Sequence, residues 1–368
     1  MKFIIDISNY NGKNERITGF KKMHDASLNI PTPIKILTHE GFLYFKKYGM
    51  KEELKNEIKD VFKEIKTKNP KKGVAVRRAY FVPGLENPPG PRSSAVEDLK
   101  TAIENVKKIL KFAIENKFDK KGSEIEVFFH PFINPKIPSS GGCVTPNENY
   151  ILIEAIYGND ESVQSFPHDK YKIDIEKKEI LNKKVEKKEK TLSATGTEYR
   201  EVDIPKKLQT KQVLTDEQII KIAEMWKKLS LLFGPHRLEF DIIDNKIFFI
   251  ECTAFKSEKL EKKYRKMTKG YIKRIKTDSD INNIRGCKII FIDPEVIRKR
   301  KMGILTKLAC TLPKNTTILF PGSATTAHAS IIFREMGHNL IYTGNRVFKD
   351  GEKVRIEDKE EPRVFKDD

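Results

Sequence analysis

Two glutamates that a hairpin brings face to face are the first chemistry legible in this sequence. The segment LEFDIIDNKIFFIEC, residues 238–252, reads as two strands around a turn. A three-residue loop at Asp244-Asn245-Lys246 pairs Leu238 with Cys252, Phe240 with Ile250 and Ile242 with Phe248, so that all of these apolar side chains share one face. On the other face Glu239 then stands opposite Glu251, with Asp241 beside Phe249. Directly opposed side chains lie about 5 Å apart at Cβ, and like charges there repel. A divalent cation converts that repulsion into a binding site, and carboxylate oxygens suit Mg²⁺ carrying nucleotide phosphates. The plainer alternative is two solvated glutamates on an exposed face.

A histidine supplies the second possibility. TTILF (316–320) reads as a strand and HASIIFREM (328–336) as a helix closed by Gly337, with the small, turn-forming PGSATTA between them. His328 falls in the first helical turn, next to Thr325 and Thr326, either of which can be the N-cap. Free backbone N–H groups and the positive end of the helix dipole favour an anion there, such as a phosphoryl group. The same field disfavours imidazolium and keeps the ring neutral and nucleophilic.

The elements that must position these groups follow from the hydrophobic pattern. The chain opens with a strand (KFIIDI), a Pro-flanked turn at Ile30-Pro31-Thr32-Pro33 and a charged helix to about Ile65. GVAVRRAYFV (73–82) is a strand, and PGLENPPGP a rigid loop. Ser94 opens a long helix, with Glu97 completing a capping box and Leu99, Ala102, Ile103, Val106, Ile109, Leu110 and Ala113 forming its apolar stripe. Strands at EIEVFF (124–129) and YILIEAIY (150–157) flank a Pro/Ser/Gly loop ending at Gly142. Residues 170–212 are Lys-rich and read as short strands and loops. Thr215 and Gln218 cap a helix striped by Ile219, Ile222, Trp226 and Leu229, which Gly234-Pro235 ends. A basic, weakly apolar stretch follows Phe255 and reads as a linker; KIIFID (288–293) then restarts an α/β pattern.

A chain of 368 residues predicts two or three domains. With 38 % hydrophobic residues it can build real cores. No apolar run approaches the ~18 residues that span a bilayer. The four cysteines stand singly, which argues against a zinc module or a disulfide framework. The N-terminus lacks the pattern of a secretory signal, so a cytoplasmic protein with no membrane attachment is expected. The formal net charge of +19 raises nucleic acid as a partner. The basic runs Lys183–Lys190 and Lys256–Lys276 carry few interleaved aromatics, however, and do not look like base-stacking platforms.

The two sites gain meaning together. TTAHASIIFREMGHNLIYTG (325–344) resembles the phosphohistidine swivelling domain of phosphoenolpyruvate-utilising enzymes, with Thr326, His328, Ala329, Ile331, Arg334, Glu335 and Gly337 in place. Ala327 and Ser330 depart from that motif. Residues 1 to about 255 resemble the ATP-grasp nucleotide domain of phosphoenolpyruvate synthase and pyruvate phosphate dikinase. YILIEAIYGNDESVQSFPHDKYKID resembles that family's strand, turn and Pro-Asp-x-Tyr segment, with Glu161 at the turn, Asn159-Asp160 in place of Leu-Gly and His168 intruding before Asp169. The resemblance implies that Glu239 and Glu251 bind metal, that Arg77 of VAVRRAY binds phosphate, and that Lys21 of TGFKKMHDA, with Lys22 as alternative, does so too. Arg92-Ser93-Ser94-Ala95 is a second candidate for the arginine motif. Arg237 stands where the family has Asp, and Thr253 where it has Arg.

The fold expected is therefore α/β (α+β): an ATP-grasp two-lobed nucleotide domain at 1–256, whose lid part is about 1–72, then a basic linker at 257–286, a small α/β swivelling histidine domain at 287–350 and a charged tail at 351–368. ATP is expected between two β-rich lobes, its adenine edge against the backbone near Val127 to His130. Mg²⁺ on Glu239 and Glu251 bridges its phosphates, Lys21 and Arg77 neutralise charge, and Glu161 contributes to the site. The implied activity is a dikinase-type phosphotransferase that passes phosphate from ATP through His328 to an acceptor, either a small molecule or a separate acceptor-binding protein. The chain stops before the family's phosphoenolpyruvate-binding barrel, so the acceptor is left open, as are β- against γ-phosphoryl transfer and the oligomeric state. The alternative is a non-catalytic or regulatory phosphocarrier loaded by a partner.

Overall fold

The computed structural model describes the chain apart from residues 1, 86–87, 89, 92–94, 148–149, 196–197, 256–267, 285, 299–301, 314–315, 322–332, 334–337, 344–345, 358–362 and 368. The first lobe runs β1 (Ile4–Asp6), α1 (Glu15–Asp25), β2 (Lys35–Leu37), α2 (His39–Tyr48), α3 (Glu52–Lys68), β3 (Val74–Phe81), α4 (Leu99–Glu115) and β4 (Glu124–Pro131). Its strands form one antiparallel sheet in the order β1-β2-β4-β3. Strand alternation divides β4 between two jobs. Ile125, Val127 and Phe129 join the core under α3 and α4, while Glu126, Phe128 and His130 point to the opposite side. On β3 the same alternation sends Val74, Val76 and Tyr80 to the helices and Arg77 away from them.

The second lobe is a six-stranded antiparallel sheet, β12-β11-β5-β6-β7-β8. Its elements are β5 (Ser140–Pro146), β6 (Ile151–Tyr157), β7 (Asp169–Asp174), β8 (Glu179–Lys184), a separate hairpin β9 (Lys190–Thr195) and β10 (Glu198–Asp203), α5 (Lys206–Gln209), α6 (Asp216–Phe233), β11 (His236–Ile243) and β12 (Lys246–Ala254). Ile219, Ile222, Ala223, Trp226 and Leu229 bury the stripe of α6 against Leu238, Phe240 and Ile242 of β11. The capping box of Thr215 and Gln218 forms as expected, and Gly234 ends the helix at φ +81°. Helix α1 leaves its own sheet to lie on β12. Gly19 permits this, because a Cβ there would collide with the Cys252 carbonyl. Ile17, Phe20 and Met23 of α1 join residues of both sheets in one core, which ties the lobes together.

A third sheet follows, β16-β15-β14-β13-β17-β18, parallel from β16 to β13 and antiparallel beyond. It is built from β13 (Thr268–Ile275), β14 (Ile289–Ile292), α7 (Pro294–Arg298), α8 (Met302–Thr311), β15 (Thr317–Phe320), β16 (Asn339–Tyr342), β17 (Lys353–Glu357) and β18 (Arg363–Lys366). Both faces are covered, as parallel strands require.

Several expectations change. The stretch read as a linker, 257–286, contributes β13, and the stretch read as a charged tail, 351–368, contributes β17 and β18. In both, alternation is diluted by lysines on the open face, so composition hides Ile272, Val354, Ile356 and Val364, which are buried. Residues 1–72 are not a lid of their own, since β1 and β2 share a sheet with β3 and β4. The long helix begins at Leu99 under an Asp98 cap that accepts from Thr101 N, not at Ser94, which lies outside the described residues. The loop expected to end at Gly142 is already strand from Ser140.

Candidate functional site

The glutamate hairpin reaches its expected pairing by an unexpected route. The turn has two residues, Asp244 and Asn245, at φ +50° and +60°, the geometry that matches strand twist. Ile243 pairs with Lys246, and Phe240 with Phe249, so the three-residue loop is wrong. A bulge between Glu239/Phe240 on one strand and Phe249/Glu251 on the other then absorbs Ile250 and restores Leu238 opposite Cys252 and Glu239 opposite Glu251. Ile247 and Phe249, rather than Phe248 and Ile250, are the β12 residues buried in the core.

These glutamates lie in a concave pocket between the two lobes. Its walls are Arg16 and Phe20 of α1, Arg77 of β3, Phe128 and His130 of β4, Phe132 and Ile133 beyond it, Asn159, Asp160 and Glu161 of the turn after β6, and Glu239, Asp241, Ile250 and Glu251 of the hairpin. Four residues singled out in the sequence, Arg77, Glu161, Glu239 and Glu251, are thus brought together. Lys21 is not among them. Its ammonium pairs with Asp25 at 3.0 Å, and Lys22 instead reaches His236 Nε2 at 2.9 Å. Helical phase is the reason: Arg16 and Phe20, four residues apart, share the pocket face, and Lys21 is turned about 100° from Phe20. His328 lies outside the described residues, as do Thr325, Thr326, Arg92, Ser93 and Ser94. The backbone of Val127 to Phe129 cannot take an adenine edge, because β2 and β3 pair with it on both sides.

Arg16 is the cation that sequence reading missed. Its Nη2 donates to Glu251 Oε2 at 2.5 Å. Burial works against its charge, but Glu251, then Glu239 and Glu161, outweigh that and raise its pKa. The helix carrying it starts at an Asn14 cap, whose side chain accepts from Arg16 N and Ile17 N. Asn14 N in turn donates to Tyr10 Oη, and Tyr10 donates to Glu126 on β4 at 2.7 Å. The signal that could have found Arg16 is this Asn cap followed by an Arg and a Phe at helical spacing.

The acidic wall is strained electrostatically. Burial, then the neighbouring Glu251, pushes the Glu239 carboxyl up to about 7. Asp160 and Asp241 are both buried, and both carboxyls are held well above the usual carboxylate range, by burial first and then, for Asp160, by Asp241 itself. Asp241 Oδ1 accepts one long bond, 3.3 Å from Asp160 N, and its Oδ2 is buried with no hydrogen-bond partner. Gly141 permits this closeness, since any side chain there would strike Asp160 N and Asp241 Oδ1. Sequence alternation already placed Asp241 on the Glu239 face; its orphaned oxygen is a tertiary fact. Opposite, His130 is held neutral, its pKa lowered to about 3 by burial and then by Arg77, so its Nδ1–H donates to Pro131 O at 2.9 Å.

Among the described residues no cage of three or more metal-ligating side chains is present. A pair of carboxylates is nevertheless a donor set that Mg²⁺ uses when a bound nucleotide contributes the remaining oxygens. The opposed, buried Glu239 and Glu251 carboxyls and the Asp241 oxygen without a hydrogen-bond partner fit a site that a cation completes. Among the described residues no helix is long and apolar enough to cross a membrane.

Comparison with known proteins agrees with this geometry. Residues 105–273 match the pyruvate phosphate dikinase AMP/ATP-binding domain. A probable phosphoenolpyruvate synthase of Archaeoglobus fulgidus is 26 % identical over 247 residues, 59 % of this chain and 33 % of the relative. The phosphoenolpyruvate synthase of Pyrococcus furiosus is 29 % identical over 223 residues, 53 % of this chain and 26 % of the relative. An uncharacterized phosphotransferase of Bacillus subtilis, YvkC, is 29 % identical over 143 residues, 38 % of this chain and 17 % of the relative. The matched stretch thus spans a third or less of these relatives' own length. The chain is thus similar, over residues 105–273, to the AMP/ATP-binding domain of pyruvate phosphate dikinase, and over about half of its length to phosphoenolpyruvate synthases.

Proposed function

We propose that this protein is an ATP-dependent phosphotransferase of the dikinase type, which passes phosphate from ATP through His328 to an acceptor that is a small molecule or a separate protein. The observation that carries the reading is the convergence of Arg16 and Arg77 on one side of a pocket and Glu239 with Glu251 on the other. Arg77 and Arg16 neutralise the phosphate oxygens, and charge interactions are stronger in this recessed pocket than in open water. Phe128, Phe132 and Ile133 supply the apolar wall for the base, at the point where the chain crosses from the first sheet to the second. Glu239 and Glu251 would hold Mg²⁺, which supplies charge neutralisation and orientation of the phosphates. Burial raises the Asp160 and Asp241 carboxyls well above the usual carboxylate range, which lessens the negative charge that a polyanion meets in the site.

In the dikinase reading an N–P bond forms from His328 to the β-phosphorus as the α–β bridging P–O bond breaks, and AMP leaves. Water then attacks the outer phosphorus, the β–γ bridging P–O bond breaks and inorganic phosphate leaves; the acceptor's nucleophile takes the remaining phosphoryl group as its N–P bond to His328 breaks. β-Labelled ATP with Mg²⁺ should give acid-labile, base-stable label on the protein and free AMP, and His328→Ala should give neither. Label from γ-labelled ATP alone, with ADP as product, would replace the dikinase step by a simple kinase step. Label persisting in the alanine variant would remove His328 from the mechanism, and absence of ATP binding by calorimetry would leave only a carrier loaded by a partner.

A further inference from the structure

Arg16 occupies the place where a cation would compete with it. Its guanidinium lies 2.5 Å from Glu251 Oε2, and its Nε is buried without a hydrogen-bond partner. The helix beneath it is anchored at both ends of its first turns, by the Asn14 cap and by Gly19 against Cys252. The side chain itself stays 30 % exposed toward the pocket, so it has somewhere to go. Glu251 in turn faces Glu239 directly across the hairpin. A positive group relieves that pair, and a guanidinium held at 2.5 Å from Glu251 opposes a divalent cation on the same carboxylate by like-charge repulsion.

We propose that Arg16 is an internal stand-in for the metal: in the empty site it neutralises Glu251, and when a cation and its nucleotide take the two glutamates the guanidinium passes from Glu251 to the phosphates. This rests on the reading of Glu239 and Glu251 as the metal pair. The exchange makes metal and nucleotide binding mutually reinforcing. The metal alone must displace Arg16 from Glu251 without bringing it a new anion, whereas a bound phosphate gives the displaced charge a new partner. An arginine that only bound phosphate would not oppose the metal, and one that only held α1 in place would not affect the two ligands in opposite directions.

The test is Mn²⁺ binding to the full chain, followed by electron paramagnetic resonance or calorimetry, with and without ATP. Arg16→Gln should bind Mn²⁺ alone about three- to tenfold more tightly than the wild type, the scale of one released ion pair. The same variant should bind ATP in the presence of Mn²⁺ about tenfold or more weakly. Arg16→Lys should show both signs at smaller amplitude, and it decides the matter should the glutamine variant fail to fold. Glu251→Gln should lose Mn²⁺ binding under both conditions. If Glu239→Gln and Glu251→Gln bind Mn²⁺ as the wild type does, the metal pair falls and the stand-in role with it. If those two lose the metal but neither Arg16 variant binds Mn²⁺ alone more tightly, the stand-in role is overturned and the metal pair survives.

Discussion

One six-stranded sheet carries two sets of buried charge that behave in opposite ways. On β6 and β7, Glu154 and Asp169 are fully buried and fully partnered. Glu154 Oε1 contacts His168 Nε2 at 3.1 Å and Lys170 Nζ at 3.4 Å, while Cys143 Sγ approaches its other oxygen at 3.8 Å. Asp169 Oδ1 accepts from Lys188 Nζ at 2.5 Å and Glu186 N at 3.1 Å, and Oδ2 accepts from Tyr171 Oη and Val213 N. Lys188, itself fully buried, spends a second proton on Glu186 O. On β11, by contrast, Asp241 has one long bond and one orphaned oxygen, and Glu239 faces another glutamate. The first set closes on itself and staples β7 to the segment leading to β9. The second leaves acceptor capacity pointing into a pocket. Burial alone does not distinguish structure from function; the count of donors does.

The sharpest way to break this contrast is Lys188→Met. It strands Asp169 as an uncompensated buried charge and should lower unfolding stability by about 3–5 kcal/mol in urea titration. At a temperature where the variant is still folded, nucleotide affinity should be unchanged, and an unaltered urea midpoint would show that the pair holds nothing. Next in size, Glu239→Gln should slow ATP turnover by about 10²–10³, comparable to removing one preorganised electrostatic group. Its ligand-free melting temperature should stay level or rise, because a repelling pair is relieved. A melting point falling as far as that of Lys188→Met would place Glu239 in the structural set.

A pH series sharpens the comparison further. The Glu239 carboxyl is raised from 4.5 to about 7, so between these values the folded state binds more protons than the unfolded one. Its contribution is therefore present at acid pH and is lost as pH rises through 7. The stability gained by Glu239→Gln over the wild type should grow from pH 4.5 to 7 and then level off. The difference curve is the readout, since buried neutral histidines such as His130 give the wild type an opposite trend below about 6.5. A flat difference would mean that Glu239 is well served without a ligand. The smallest effect expected is that of Thr215→Ala, which removes the cap of α6 on the same sheet. About 1 kcal/mol should be lost, with turnover at saturating ATP unaffected.

Much of this architecture was written in local pattern. The capping box at Thr215, the apolar stripe of α4, the strands around Arg77 and Val127 and the pairing of Glu239 with Glu251 follow from side-chain periodicity, because burying one face of a helix or strand leaves few registers open. Local pattern failed where lysine-rich strands, β13 and β17, take their stability from neighbours distant in sequence. It also failed at the turn, where two consecutive residues at positive φ shift the register by one and a bulge shifts it back.

The residue types of the candidate site could be read from the chain itself, since carboxylates opposed on a hairpin and an arginine alternating with apolar residues on a strand keep their faces whatever surrounds them. Only tertiary structure decided which cation meets Glu251. Lys21 and Arg16 sit on the same amphipathic helix, and either could have faced the carboxylates. The choice was made by Gly19, which lets α1 press on the Cys252 carbonyl in one rotational setting and so turns Arg16 toward Glu251 and Lys21 toward Asp25. A helix's own periodicity defines which of its residues share a face, but the direction of that face is set by the surface it packs against.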